Sequence, residues 1–182
     1  MAYRTGTYVA FHGEGTTDPT ASDIKYYNLL KAWDVRDEKD FEFVNSHDKT
    51  SSVRDSSKRE TLRKSLVARL NRSKNMILIL TQKTKEDTDW VPFEIRHAVD
   101  EDEIPIIAAY PAYKSILDPT KLRPLWPTAL RTRIDQKTAR VIHISFKEKP
   151  LHAAVSQFSH TNLPTGPLVY YTRETYQEWG LL

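Results

Sequence analysis

The chain has 182 residues, of which 39% are hydrophobic and 28% charged, enough for one domain with a real core and hardly enough for two. It contains no cysteine, which excludes disulfides, thiolate catalysis and Cys-based metal sites, and a formal net charge of +3 does not force a nucleic-acid partner. Met1-Ala2-Tyr3-Arg4 lacks the apolar stretch of a signal peptide and no window approaches about 18 apolar residues, so the expectation is a cytoplasmic protein without a membrane segment.

In chain order, Thr7 to Phe11 is short, apolar and β-rich, and Gly13 and Gly15 follow it, so it reads as a buried first strand ending in a loop. Ser22 is placed to cap a helix starting at Asp23. Tyr26, Leu29, Leu30 and Trp33 give that helix an apolar stripe at i, i+3, i+4 and i+7. Phe41 to Val44 reads as a second strand, and the polar, aperiodic stretch from Asn45 to Ser56 as a loop. Ser57 and Glu60 have the spacing of a capping box, and Leu62, Leu66 and Leu70 share one helical face behind it. Met76 to Leu80 is apolar throughout and predicts the central strand, buried on both faces.

Thr81 to Asp89 reads as a polar loop. A helix is expected from about Trp90, with Val91, Ile95, Ala98 and Val99 turned inward and Pro92 tolerated in its first turn. Ile104 to Tyr110 and Val141 to Phe146 read as the fourth and fifth strands. Pro119, Pro124 and Pro127 leave room between them only for a short, irregular helix. Leu151 to Phe158 is a last helix. Strands alternating with helices predict a flavodoxin-like three-layer α/β fold. Its five-stranded, mainly parallel sheet takes the order 2-1-3-4-5 and binds ligands at the carboxyl ends of its strands. The expected domain spans 1–160, and 161–182 is an extension packed on or beside it.

Three segments offer chemistry. Trp90 and Glu94 lie one helical turn apart on one face, beside the apolar stripe and near the end of the third strand. A Glu in the second turn of a helix is ordinarily solvated and a Trp ordinarily core, so spacing alone does not assign them. Phe11-His12-Gly13-Glu14-Gly15 follows a strand and precedes a helix. It lacks the third glycine of a dinucleotide fingerprint, and the two glycines present suit a sharp turn or a close approach. Asn45-Ser46-His47-Asp48 brings hydrogen-bonding groups to the same sheet edge, although such residues are also common turn formers.

Other sites are absent or weak. There is no G-x-S-x-G elbow, Walker A loop or H-E-x-x-H pattern, and no metal site is expected. A phosphoacceptor receiver shares the fold but needs an Asp at the end of the third strand, where this chain has Leu80-Thr81-Gln82. The cations Lys58, Arg59, Arg63, Lys64, Arg69 and Arg72 are spread around their helix without interleaved aromatics, which describes a solvated face.

The chain resembles the TIR-like proteins of bacterial anti-phage systems, in particular the Thoeris ThsB family. The resemblance is carried by Tyr8 to Gly13, Leu30 to Trp33, Phe41 to Asp48, Arg69 to Lys74 leading into Met76–Leu80, and Trp90 to Ile95 (W-V-P-F-E-I). It runs from about Tyr8 to Pro111 and more weakly to about Lys147. The W-x-x-x-E pattern of bacterial TIR domains falls on Trp90 and Glu94, so the resemblance implies Glu94 as the catalytic carboxylate. Ala10 stands where many TIR relatives carry a Ser.

The resemblance also implies NAD as substrate rather than as a bound cofactor, and an ADP-ribose-type product that activates a partner effector protein. Trp90, Phe11 and His12 would contact the dinucleotide, and Ser46, His47 and Asp48 would border the pocket. Self-assembly or a phage-derived activator would control activity. The competing expectation is a non-catalytic TIR-like interaction module, with Tyr170, Tyr171, Tyr176 and Trp179 in the tail either docking a partner or covering a sheet edge.

Overall fold

The computed structural model describes residues 3–13, 22–36, 43–45 and 56–182. Its centre is a sheet of six strands: β1 (Gly6–Ala10), β2 (Phe43–Asn45), β3 (Ser73–Ile79), β4 (Ile106–Tyr110), β5 (Val141–Ser145) and β6 (Val169–Tyr170). The order is β2-β1-β3-β4-β5-β6, and every pair is parallel. The first five strands follow the expected order, and β6 extends it by two residues.

Side chains alternate across each strand and build two cores. Tyr8, Ala10, Met76, Leu78, Ile106, Ala108 and Val141 face one layer of helices. That layer contains α2 (Ser56–Leu70), α4 (Trp90–Arg96) and α5 (Thr128–Asp135). Val9, Phe11, Ile77, Ile79, Ile107, Ala109, Ile142 and Ile144 face the other layer, formed by α1 (Ile24–Arg36) and α6 (Glu148–Gln157). Parallel strands covered on both sides have no solvated face, which is why these runs carry so few polar residues.

Several elements differ from the sequence expectation. On α1, Leu30 is buried while Leu29 is exposed. The stripe is centred on Tyr27 and Leu30, with Tyr26 and Trp33 packed at its margin, so the phase is shifted by part of a turn. The second helix starts at Ser56, which places Ser57 inside its first turn. Of the expected second strand Phe41 to Val44, Phe41 and Glu42 lie outside the described residues, and Phe43 and Val44 are in β2.

The supposed loop from Thr81 to Asp89 contains a short helix, α3 (Gln82–Glu86). Thr81 and Thr84 form a reciprocal capping box, each hydroxyl accepting the other's backbone N–H. Five residues without an apolar stripe give periodicity nothing to detect. After α4 the chain continues into a π-helical turn, His97–Glu101, whose end is tied down by Arg4 bonding Asp102. Pro119–Leu125 is a 3-10 helix, as the prolines suggest.

The tail covers the β5 edge of the sheet. β6 pairs with β5, and α7 (Arg173–Glu178) brings the fully buried Tyr176 against it. The Ser145 backbone N–H donates to the Tyr176 hydroxyl at 3.2 Å. Tyr171 and Trp179 pack edge-to-face, while Tyr170 remains exposed. A second buried network ties in the proline-rich connection. The Trp126 indole N–H donates to the Tyr110 hydroxyl, which bonds His143 Nδ1, and His143 Nε2 meets the Pro167 carbonyl.

Candidate functional site

From β1 the chain passes to β2 on one side and then crosses back to β3 on the other, so the sheet reverses direction between β1 and β3. The carboxyl ends of these two strands border the crevice that such sheets use for ligands. The segments leaving them meet there. The Asp23 N–H donates to the His12 carbonyl at 3.3 Å, and the Thr81 hydroxyl donates to Asp23 Oδ2 at 2.7 Å. The buried Thr84 hydroxyl lies 3.2 Å from the same oxygen and donates to the Ile79 carbonyl at 2.8 Å. Burial raises the Asp23 pKa, and the two threonine hydroxyls oppose that rise only in part.

Asp87 joins this cluster to the helix carrying the W-x-x-x-E pattern. Its Oδ1 accepts the backbone N–H groups of Asp89 and Trp90, capping α4. Its Oδ2 lies 3.0 Å from His12 Nδ1. Burial pushes the Asp87 carboxyl up, but the His12 contact and the backbone donors outweigh it and hold its pKa below the ordinary value. His12 on the strand end and Trp90 at the helix start are therefore joined through one carboxylate.

Glu94 lies deeper. It is one helical turn past Trp90, about 6 Å along the helix axis. Tyr8 is two residues short of the end of β1, about 7 Å along the strand. The two side chains therefore meet at one depth below the edge. The Tyr8 hydroxyl donates to Glu94 Oε1 at 2.6 Å. Glu94 is only 1% exposed and Tyr8 is fully buried. Burial pushes the Tyr8 pKa well up, and the neighbouring Glu94 charge raises it further.

Trp90 is half-buried against the same core, with the Arg59 guanidinium 5.6 Å from its ring centroid. Arg63 lies similarly over Phe93, and Arg59 also pairs with Asp89. These cations are half exposed, so the ion pair contributes little by itself.

Of the residues singled out in the sequence, the structure brings His12, Trp90 and Glu94 to the β1–β3 end of the sheet. Phe11 is fully buried on the opposite face and stacks on Tyr27 at 5.9 Å. Ser46, His47 and Asp48 lie outside the described residues. Sequence reasoning missed Tyr8, Asp23, Thr81, Thr84 and Asp87. The rule for helix starts points to Asp89, which immediately precedes α4 but makes no side-chain cap bond, whereas Asp87 caps the helix from three positions before it. Tyr8 had no readable signal, because its partner is 86 residues away. Among the described residues no group of His, Asp or Glu side chains could hold a metal ion, and no helix is long and apolar enough to cross a membrane.

A parallel α/β sheet with its first five strands in the order β2-β1-β3-β4-β5, and a helix carrying Trp90 and Glu94 beside its switch point, is the arrangement expected of a TIR-like domain. Residues 8–116 match the family described as Thoeris protein ThsB, TIR-like domain. That match covers more than half of the chain, from the first strand past the fourth, and the chain belongs to this family, which supports a role in anti-phage defence.

Proposed function

We propose that the protein cleaves the nicotinamide–ribose bond of NAD and releases an ADP-ribose-type signal, with Glu94 as the catalytic carboxylate. The observation that carries this reading is an acidic side chain withdrawn from water beside the β1–β3 crevice and held by a hydroxyl donor. Membership of a TIR-like family and the W-x-x-x-E spacing of Trp90 and Glu94 add to it.

In the reaction, the bond from C1′ of the ribose to the pyridinium nitrogen breaks and its electron pair stays with nicotinamide. The leaving group departs neutral, so no strong general acid is needed. Positive charge develops at C1′ as in glycoside hydrolysis, and a nearby carboxylate stabilises it. In a water-poor site that attraction is stronger than in bulk solvent. Attack by water gives ADP-ribose, while attack by a hydroxyl or ring nitrogen of the same molecule gives a cyclic isomer. A freely diffusing product of this kind would carry the signal to an effector protein.

Because Glu94 is almost fully buried, substrate reaches it only when side chains around it move. Self-assembly or a phage-derived activator would supply that movement. The test is chromatography of nicotinamide release from NAD by wild type and Glu94→Gln, each alone and with lysate of infected cells. Wild-type release that vanishes in Glu94→Gln, with an unchanged melting curve, is the expected result. Equal release by both removes Glu94 from the mechanism, and silence of the wild type under all conditions removes the enzymatic reading.

A further inference from the structure

We propose that Tyr8 is a positioning residue for Glu94, its hydroxyl holding one carboxylate oxygen and thereby setting the orientation of the group that the reaction uses. The inference rests on the NAD-cleaving reading above, but the contact itself does not.

Tyr8 stands in the middle of β1, a strand buried along its whole length. Its face is otherwise lined by Ala10, Leu66, Leu70, Met76 and Leu78. A phenylalanine would fill such a place without the cost of burying a hydroxyl. The hydroxyl is instead spent on one acceptor, Glu94 Oε1, at 2.6 Å. An ionised carboxylate only accepts, so the proton in this bond belongs to Tyr8. Burial and the charge of Glu94 both keep it there, opposed only by the more distant Arg69 on α2. Two other cations on this side, Arg59 and Arg63, lie over the rings of Trp90 and Phe93, and Asp89 pairs with Arg59.

Two consequences follow. A glutamate side chain has three rotatable bonds, and one short charge-assisted bond to a rigid strand removes much of that freedom before substrate arrives. A donor to the ionised form also favours that form, so the Tyr8 hydroxyl biases the carboxylate toward its charged state. Tyr8 itself does not touch the reacting atoms. It acts from behind, through Glu94.

The experiment compares wild type, Tyr8→Phe, Glu94→Gln and protein carrying 3-fluorotyrosine at position 8. Nicotinamide release is measured as kcat and KM across the acid and neutral range. Glutamate titration is followed by carbon NMR, with Glu94→Gln identifying the resonance, and melting curves are recorded for every variant. For Tyr8→Phe the expected result is a kcat lower by about tenfold or more with KM within about twofold, the size of one lost bond to a charged group. The acid limb of its profile and the Glu94 titration both move up by about one unit. The fluorinated ring keeps the shape, donates more strongly, and moves both downward.

Tyr8→Phe with wild-type kcat, acid limb and Glu94 titration overturns the proposal. A loss of activity that follows melting temperature alone, with neither the limb nor the titration displaced, overturns it as well. If Tyr8→Phe does not fold, the fluorinated protein alone decides by the direction of its shift. If wild type releases no nicotinamide, the NAD reading fails and with it Tyr8's role in that reaction, whereas the NMR titration still accepts or rejects the Tyr8–Glu94 contact.

Discussion

His143 gives the fold a specific weakness to acid. It lies fully buried in the middle of β5. The Pro167 carbonyl can only accept, so His143 Nε2 carries the ring proton. Nδ1 then accepts from the Tyr110 hydroxyl, whose oxygen takes the Trp126 indole N–H. This chain of three bonds is complete with a neutral ring, and a second ring proton on Nδ1 would take away the acceptor of the Tyr110 O–H. Burial is the main reason its pKa falls from 6.5 to about 4, and the Pro167 carbonyl opposes the fall only weakly. The unfolded chain binds a proton near pH 6.5 and the folded chain resists until about 4. Stability is therefore full above the unfolded value and is lost as the pH falls toward the folded one.

The gap is worth about 3 kcal/mol over the whole window, and about 2 kcal/mol between pH 7 and pH 4.5. Other carboxylates titrate nearby in pH, so the useful quantity is a difference of differences. Urea unfolding of wild type and His143→Gln at both pH values measures it. At neutral pH the variant is less stable, because its amide does not reproduce every bond. At pH 4.5 its deficit shrinks by about 2 kcal/mol, since only wild type carries the titrating group. A deficit of the same size at both pH values would show that His143 is not held neutral, and the bond directions assigned above would be wrong.

Asp87→Ala removes the acceptor for two backbone N–H groups at the start of α4 and the partner of His12. The expected cost is about 1 kcal/mol, read as a fall of about 2–4 °C in melting temperature. The Asp87 pKa is depressed, so its contribution is present above the ordinary carboxylate range and lost in acid, where the deficit should disappear. Tyr176→Phe leaves the buried Ser145 N–H without the hydroxyl that accepts it. Calorimetry should register about 1–3 kcal/mol of lost stability, and no change would mean that the tail is not docked through this bond.

The layered architecture was legible because most of its strands are buried on both faces and therefore spelled as apolar runs. Met76 to Leu80, Ile104 to Tyr110 and Val141 to Phe146 each stand out between polar segments, and their alternation with helical stripes implies parallel pairing and the strand order found. The short elements were not legible. α3 and β6 are too brief to show a period, and one is held by a threonine pair and the other by the edge it covers.

The sequence by itself also marked which acidic residue to examine, because the W-x-x-x-E pattern that carries the family resemblance falls on Trp90 and Glu94, whose one-turn spacing alone does not assign them. Only the tertiary structure decided what surrounds it. The approach of Tyr8 to Glu94 and of His12 to Asp87 joins residues 86 and 75 positions apart. Those distances are closed by the packing of a helix against a sheet, and local spacing carries no record of which strand residue a helix residue will meet.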